Sequence, residues 1–160
     1  MVERAAAIEE AVAEVLNGEA ENDVFNRLVC EASLSARETG WLRAFYRSLR
    51  QAGMGFTIYT VVDALAKNPD ITAALIDLFT ARHDPEFKSG RESAIEDAKG
   101  RIKRGLAKVK AINDDRLLRL QLRRVDHVGP RFAERVVDFG DCCQQPKQIR
   151  ETTRSVFPSC

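Results

Sequence analysis

An all-α fold is what this sequence predicts, on three observations. Apolar residues recur three and four positions apart in almost every stretch up to residue 122, the spacing of one helix face. No segment alternates with period two, so no sheet is indicated. Helix start and stop signals also arrive at short intervals, as at Asn17-Gly18, Ser35 with Glu38, Gly53 and Asn68-Pro69. The expected architecture is a compact orthogonal bundle of five short capped helices. A longer helix over 91–112 leans against it, and an irregular C-terminal tail follows.

Taken in order, residues 2–16 predict a first helix, with Ile8, Val12, Val15 and Leu16 apolar against Glu3, Glu9, Glu10 and Glu14, and Asn17-Gly18 ends it. A short helix after Asp23 presents Phe25, Leu28 and Val29, with Cys30 beside them as a small apolar group. Ser35 and Glu38 have the spacing of a capping box, each serving a backbone N–H of the other. The helix they open carries Trp41, Leu42, Phe45, Tyr46 and Leu49 on one stripe and Arg37, Arg43, Arg47 and Arg50 opposite, and Gly53 stops it. Thr57 caps a fourth helix with Ile58, Val61, Val62 and Leu65 inward. Asn68 followed by Pro69 at the first helical position starts a fifth, whose stripe is Ile71, Ala74, Leu75, Leu78 and Phe79, and Asp84-Pro85 closes it. Beyond a polar stretch, Ile95, Ala98, Ile102, Gly105/Leu106, Val109 and Ile112 follow the three-four repeat of a helical hairpin or coiled-coil seam. Gly100 and Gly105 each cost a helix about 1 kcal/mol relative to alanine, while allowing another helix to come close. Asn113-Asp114 caps a last helix with Leu117, Leu118, Leu120 and Leu122.

A chain of 160 residues suits one domain, burying roughly 70% of the surface its unfolded form exposes. Hydrophobic residues at 44% and charged residues at 31% are ordinary for a globular protein. No apolar run approaches the roughly 18 residues of a membrane span, and the acidic, alanine-rich start is unlike a signal peptide, so a cytoplasmic setting is expected. Cys30, Cys142, Cys143 and Cys160 make a poor disulfide framework, two being adjacent and one terminal, and are read as reduced thiols. The net charge of +1 conceals a split: residues 1–98 carry ten Lys and Arg against seventeen Asp and Glu, residues 99–160 fifteen against seven. Such halves attract one another or mark a nucleic-acid surface.

Several stretches together carry a resemblance. Gly18-Glu-Ala-Glu-Asn-Asp-Val-Phe-Asn-Arg-Leu-Val29, Leu42-Arg-Ala-Phe-Tyr-Arg-Ser-Leu-Arg-Gln-Ala-Gly53, Phe56, Asn68-Pro-Asp-Ile71 and Leu78-Phe-Thr-Ala-Arg-His-Asp-Pro85 resemble one region of the large bacterial NAD-specific glutamate dehydrogenases. The resemblance runs from about Ile8 to about Leu118 and implies a helical segment just upstream of that family's catalytic domain. The parent reaction it implies is oxidative deamination of L-glutamate to 2-oxoglutarate and ammonium with reduction of NAD. Residues 1–118 are accordingly expected to form the helical domain. Residues 119–160, where the resemblance stops, read as a divergent, out-of-frame or poorly ordered tail, with Phe132, Val136, Val137 and Phe139 enough for a short helical piece.

No residue qualifies as catalytic, cofactor-binding or metal-binding. Gly53-Met54-Gly55 is the only G-x-G, but it lacks a third glycine three residues on and follows a helix instead of a strand, so it reads as an interhelical turn and not a dinucleotide loop. A glycine-rich stretch with a reactive lysine, which the family's chemistry requires, does not occur. His83 beside Asp84 has no nucleophile and suits a helix C-terminus. His127, Cys142 and Cys143 are poor zinc ligands, because adjacent cysteines lack the gap that brings both sulfurs to one metal. The acid pairs Glu9-Glu10, Glu96-Asp97 and Asp114-Asp115 diverge around their helices and read as caps or solvated faces.

The alternative to a helical enzyme segment is a small basic-faced module for nucleic acid or a protein partner. Lys99, Arg101, Lys103, Arg104, Lys108, Lys110, Arg116, Arg119, Arg123 and Arg124 place ten cations in twenty-six residues against two acids. Against nucleic acid, the region has no aromatic for base stacking and its cations spread around the helix. The partners expected are the rest of a parent enzyme or further copies of the chain, with no membrane and no nucleic acid. The chain itself is expected to hold no cofactor, NAD belonging to the parent. The residues that matter are structural: Trp41, Phe45, Leu49, Ile71, Leu75 and Phe79 in the core, and Ser35, Glu38, Asn68 and Pro69 at caps.

Overall fold

The computed structural model describes residues 2–18, 20–84 and 90–129. They form seven α-helices and one 3-10 turn, and no strand occurs among the described residues. The helices are α1 (Val2–Leu16), α2 (Arg27–Glu31, entered through the 3-10 turn Val24–Asn26), α3 (Ala36–Gln51), α4 (Ile58–Lys67), α5 (Pro69–His83), α6 (Arg91–Leu106) and α7 (Ile112–Asp126). The all-α expectation is borne out; the irregular tail lies outside the described residues.

Local chemistry sets most helix ends. At α3 the capping box is complete: Ser35 Oγ accepts from the Glu38 N–H at 3.2 Å and the Ser35 N–H donates to Glu38 Oε2 at 2.7 Å. The other end closes when Gly53, at φ +89°, donates to the Arg50 carbonyl and Met54 to the Leu49 carbonyl, the paired bonds of a Schellman motif. Thr57 Oγ1 accepts from the Thr60 N–H to start α4. Asn68 departs from expectation. It stands at the head of α5, but its side chain donates back to the Ala64 carbonyl at 2.8 Å and closes α4. Pro69 and the buried Thr72, whose hydroxyl bonds the Leu65 and Asn68 carbonyls, make the junction instead.

α5 is the spine. Ile71, Thr72, Ala74, Leu75, Ile76, Leu78, Phe79 and Ala81 are buried, which covers almost every direction around the helix. It packs against α4, α6 and α7, most extensively α6. The stripe of α3 reaches it through Phe79, whose ring centroid lies 5.0 Å from that of Trp41 and 5.1 Å from that of Phe45. Of the expected core residues, Trp41, Phe45, Ile71, Leu75 and Phe79 are buried; Leu49 is only half-buried and stands outside the core cluster.

Four further expectations are corrected. The helix predicted over 91–112 ends at Leu106, where Lys108 and Val109 turn back to the Gly105 and Leu106 carbonyls; Ile112 begins α7 and is exposed. The seam itself survives, because Ala98, Ile102 and Leu106 are buried and Val109 packs on the core from the turn. α7 has Ala111 at its N-cap position with no side-chain cap, in place of Asn113-Asp114; the acids of its first turn are Asp114 and Asp115, and its buried residues are Leu117, Leu118, Gln121 and Val125. Because α7 packs on α3, α4 and α5, it is part of the bundle, and the first five helices do not make a core alone. Last, the apolar face of α1 is largely uncovered, with Ile8, Val12 and Leu16 exposed.

Candidate functional site

Two polar constellations are built into the described residues, and each joins separate elements. The first is at Arg43. Its guanidinium sits over the Phe25 ring at 5.7 Å and donates to both carboxylate oxygens of Asp23, at 2.7 and 2.9 Å, and to Asn26 Oδ1 at 3.1 Å. Asp23 also accepts from the Phe25 N–H, capping the 3-10 turn. Arg43 therefore locks the entry to α2 against α3 and is buried, contrary to its expected place among exposed arginines. Helical position alone puts it opposite Trp41; an acid and a phenylalanine brought to that side by the preceding turn make the opposite face an interior one. Arg47, beside it, pairs with Glu21.

The second lies where α5, α6 and α7 converge. Arg82 donates to Asp126 through its side chain at 2.5 Å and its carbonyl at 2.7 Å, and Lys99 reaches the same carboxylate at 3.4 Å. Arg91 donates to the Ala81 and Asp84 carbonyls, closing the end of α5. His83 lies in this corner with its ring 5.1 Å from Phe79. Burial pushes its pKa below the ordinary 6.5, and the neighbouring Arg82 and Arg91 cations push the same way. His83 stands at the C-terminal end of α5, where the sequence places it, packed on Phe79 beside the Arg82 and Arg91 cations. The Asp84 carbonyl accepts from Arg91 at 2.8 Å.

Most of the other candidates resolve into structure. Gly53-Met54-Gly55 is the C-terminal closure of α3, and a side-chain carbon at either glycine would meet nothing within 4 Å, so no ligand cradle is formed there. Gly105 is different: a Cβ would come within 2.5 Å of Ile71 Cγ1, so this glycine lets α6 lie against α5. Gly100 has no such neighbour beyond the Arg104 side chain. Cys30, expected beside the core, is exposed, in an open cleft of about 410 Å³ lined by Arg27, Glu31, Asp63, Ala66 and Lys67. His127 is exposed with Nδ1 3.0 Å from the Arg123 carbonyl, while Cys142 and Cys143 lie outside the described residues. No group of three or more metal-ligating side chains occurs among the described residues.

The basic stretch is partly absorbed. Lys99 binds Asp126, Arg101 bridges Asp77 at 2.6 Å and Asp97 at 3.1 Å, and Arg119 pairs with Asp115. Asp77, through its hydrogen bond, raises the Arg101 pKa further above its usual value. The charge split between the two halves suggests that they attract one another; the acids that these cations hold lie on α5, α6 and α7. No helix among the described residues is long and apolar enough to cross a membrane.

Residues 20–85 match the family described as glutamate dehydrogenase, helical motif 3. The chain is also 42% identical over 110 residues to the NAD-specific glutamate dehydrogenase of Halomonas elongata, covering 69% of this chain and 7% of that protein. The enzymes of the same name from Pseudomonas aeruginosa and Mycobacterium tuberculosis are 35% and 32% identical over 119 and 112 residues. They too are matched over 7% of their length, against 72% and 69% of this chain. This chain thus aligns with about 7% of the length of these curated relatives. No solved structure matches it. The matched residues 20–85 contain the Arg43–Asp23 lock, the capping box of α3 and the whole of α5.

Proposed function

The chain carries the helical motif 3 segment of the large NAD-specific glutamate dehydrogenases, and from that premise we propose that it is a non-catalytic scaffold segment of such an enzyme. The parent reaction is the oxidative deamination of L-glutamate: a hydride passes to NAD, water adds, and 2-oxoglutarate and ammonium leave. NAD and substrate belong to other parts of the parent, in the cytoplasm, and the partner of this segment is the remainder of that enzyme.

One observation carries the reading. The residues that define the resemblance are spent on shape: Phe25, Leu28, Leu42, Phe45, Ile71, Leu78 and Phe79 in the core, and Asp23, Arg43, Gly53, Asn68 and Pro69 at locks and helix ends. The divergent tail proposed for 119–160 rests on where the resemblance stops; Val125 and Val128, within that range, are buried in the core. Translating the other two frames of the coding DNA tests that tail: the family's continuation should appear in one of them. The functional test is direct. Purified chain supplied with L-glutamate and NAD should give no rise in NADH absorbance while unfolding cooperatively on heating; glutamate-dependent NADH formation overturns the scaffold reading.

A further inference from the structure

Between Asp97 and Asp114 the chain carries Lys99, Arg101, Lys103, Arg104, Lys108 and Lys110 and no acid. The first two are held by carboxylates on neighbouring helices, Lys99 by Asp126 and Arg101 by Asp77. The other four are exposed, and none makes an ion pair or side-chain hydrogen bond among the described residues. Lys103 and Arg104 stand in the last turn of α6, where cations complement the helix dipole. That explanation does not reach Lys108 and Lys110, which lie beyond the helix in the turn to α7. Ile112 opens α7 two residues later and is 84% exposed, more than any other large hydrophobic side chain among the described residues. Arg116, also exposed, follows it one turn along the same face of α7. The corner is thus an apolar knob among cations that repel one another.

We propose that this corner docks an acidic protein segment, with an apolar contact for Ile112, from a part of the parent enzyme outside this chain. The inference rests on the scaffold reading and names one surface by which the scaffold is held. Charge complementarity selects a carboxylate-bearing partner. Ile112 selects protein over nucleic acid: an apolar knob gains nothing against phosphates, and no aromatic occurs between Asp97 and Asp114 for a base to stack on. A second copy is a poor source, because Asp63, Asp77, Asp97, Asp115 and Asp126 are already held by cations of their own chain. The relatives extend far beyond the matched segment, which is 7% of their length, so the remainder of such an enzyme supplies the acids.

The test titrates the full chain with a synthetic helical peptide of glutamates carrying one stripe of leucines, at low and at physiological salt. The native chain should bind it, and more weakly as salt rises. Lys103→Gln, Arg104→Gln, Lys108→Gln and Lys110→Gln together should lose about tenfold or more in affinity, and Ile112→Ser about threefold. Lys67→Gln, an exposed cation on α4, should change it by less than about twofold. If the fourfold variant melts far below the native chain, Lys108→Gln with Lys110→Gln, outside any helix, decides alone, with a loss of about threefold expected. Equal binding by native and neutralised chains, or none by either, overturns the docking surface and leaves the scaffold reading standing. A random DNA duplex bound more tightly than the peptide makes phosphate the ligand and overturns it too. So does a dimer in sedimentation that the four substitutions split, since the occupant is then a second copy. Glutamate-dependent NADH formation by the separate chain removes the scaffold reading and the inference with it.

Discussion

α5 and α1 are both fifteen-residue helices rich in apolar residues, yet they end at opposite extremes of burial. α5 spends its apolar positions on Ile71, Leu75, Ile76, Leu78 and Phe79, and neighbours close around it from α4, α6 and α7. α1 owes much of its apolar content to alanine, which favours the helix but has little surface to hide, and of its larger described apolar side chains Ile8, Val12 and Leu16 are exposed while Val15 is half-buried. Periodicity tells that a helix has an apolar face. Whether that face is covered depends on residues elsewhere in space.

The largest expected effect tests the contrast at its centre. Phe79 joins Trp41, Phe45 and His83, so Phe79→Ala should destabilise the chain by roughly 3–5 kcal/mol, close to the limit a small domain tolerates. Val12→Ala on the exposed stripe should stay within about 0.5 kcal/mol. Urea unfolding of the two variants against the native chain measures both. Equal losses would mean that α1 is as much a part of the core as α5.

Next in size is the lock at Arg43. Removing its side chain leaves the partly buried Asp23 without its ion partner and uncovers Phe25, so Arg43→Ala should cost roughly 2–4 kcal/mol, somewhat below a fully buried pair because Asp23 keeps contact with water. Arg47→Ala, four residues along the same helix and exposed, should cost less than about 1 kcal/mol although Arg47 also holds an acid. If the two cost the same, the lock is an ordinary surface pair.

The glycines sharpen the same lesson within α6. Gly105→Ala gains helix propensity but drives a methyl group into Ile71, a buried side chain held on α5, and should lose about 1–3 kcal/mol net. Gly100→Ala faces only the flexible end of Arg104 and should gain up to about 1 kcal/mol. Thermal melts of the two variants should therefore move in opposite directions.

These cases show how much the sequence discloses. The capping box of Ser35 and Glu38, the closure at Gly53 and the inward stripe of α5 were legible because each depends on residues within a few positions of one another. Asn68 was legible as a helix boundary but not as to which helix its amide would serve, since one residue ends α4 and begins α5. Arg43 was misplaced because the helix wheel takes the side opposite an aromatic stripe to be solvent, and only the fold brings Asp23 there. The seam of α6 was correct as a pattern and wrong as a continuous helix: Val109 keeps its place in the packing through a turn. Gly100 and Gly105 look alike in sequence and differ only by the presence of Ile71. As for function, the absence of a glycine-rich nucleotide loop in the sequence was readable, and the scaffold role rests on resemblance; which cations of the basic stretch find acids needed the structure.

His83 supplies the smallest effect, and a pH-dependent one. In the folded chain burial, helped by Arg82 and Arg91, lowers its pKa below the 6.5 of a free imidazole. The unfolded chain therefore takes up a proton first as pH falls. The contribution of neutral His83 to stability is fully present above about pH 6.5 and is lost progressively as pH drops from there toward its folded pKa. Replacing it with a residue that keeps the contact with Phe79 but cannot titrate, as in His83→Leu, should remove that slope while leaving the carboxylates of both proteins to respond alike. Melting temperatures of the two chains between about pH 8 and pH 5 should then run parallel above pH 6.5 and diverge below it, the native chain falling faster. Curves that stay parallel throughout would mean that His83 takes up a proton in the folded corner as readily as in water, and that the junction of α5 and α6 is as open to solvent as the outer face of α1.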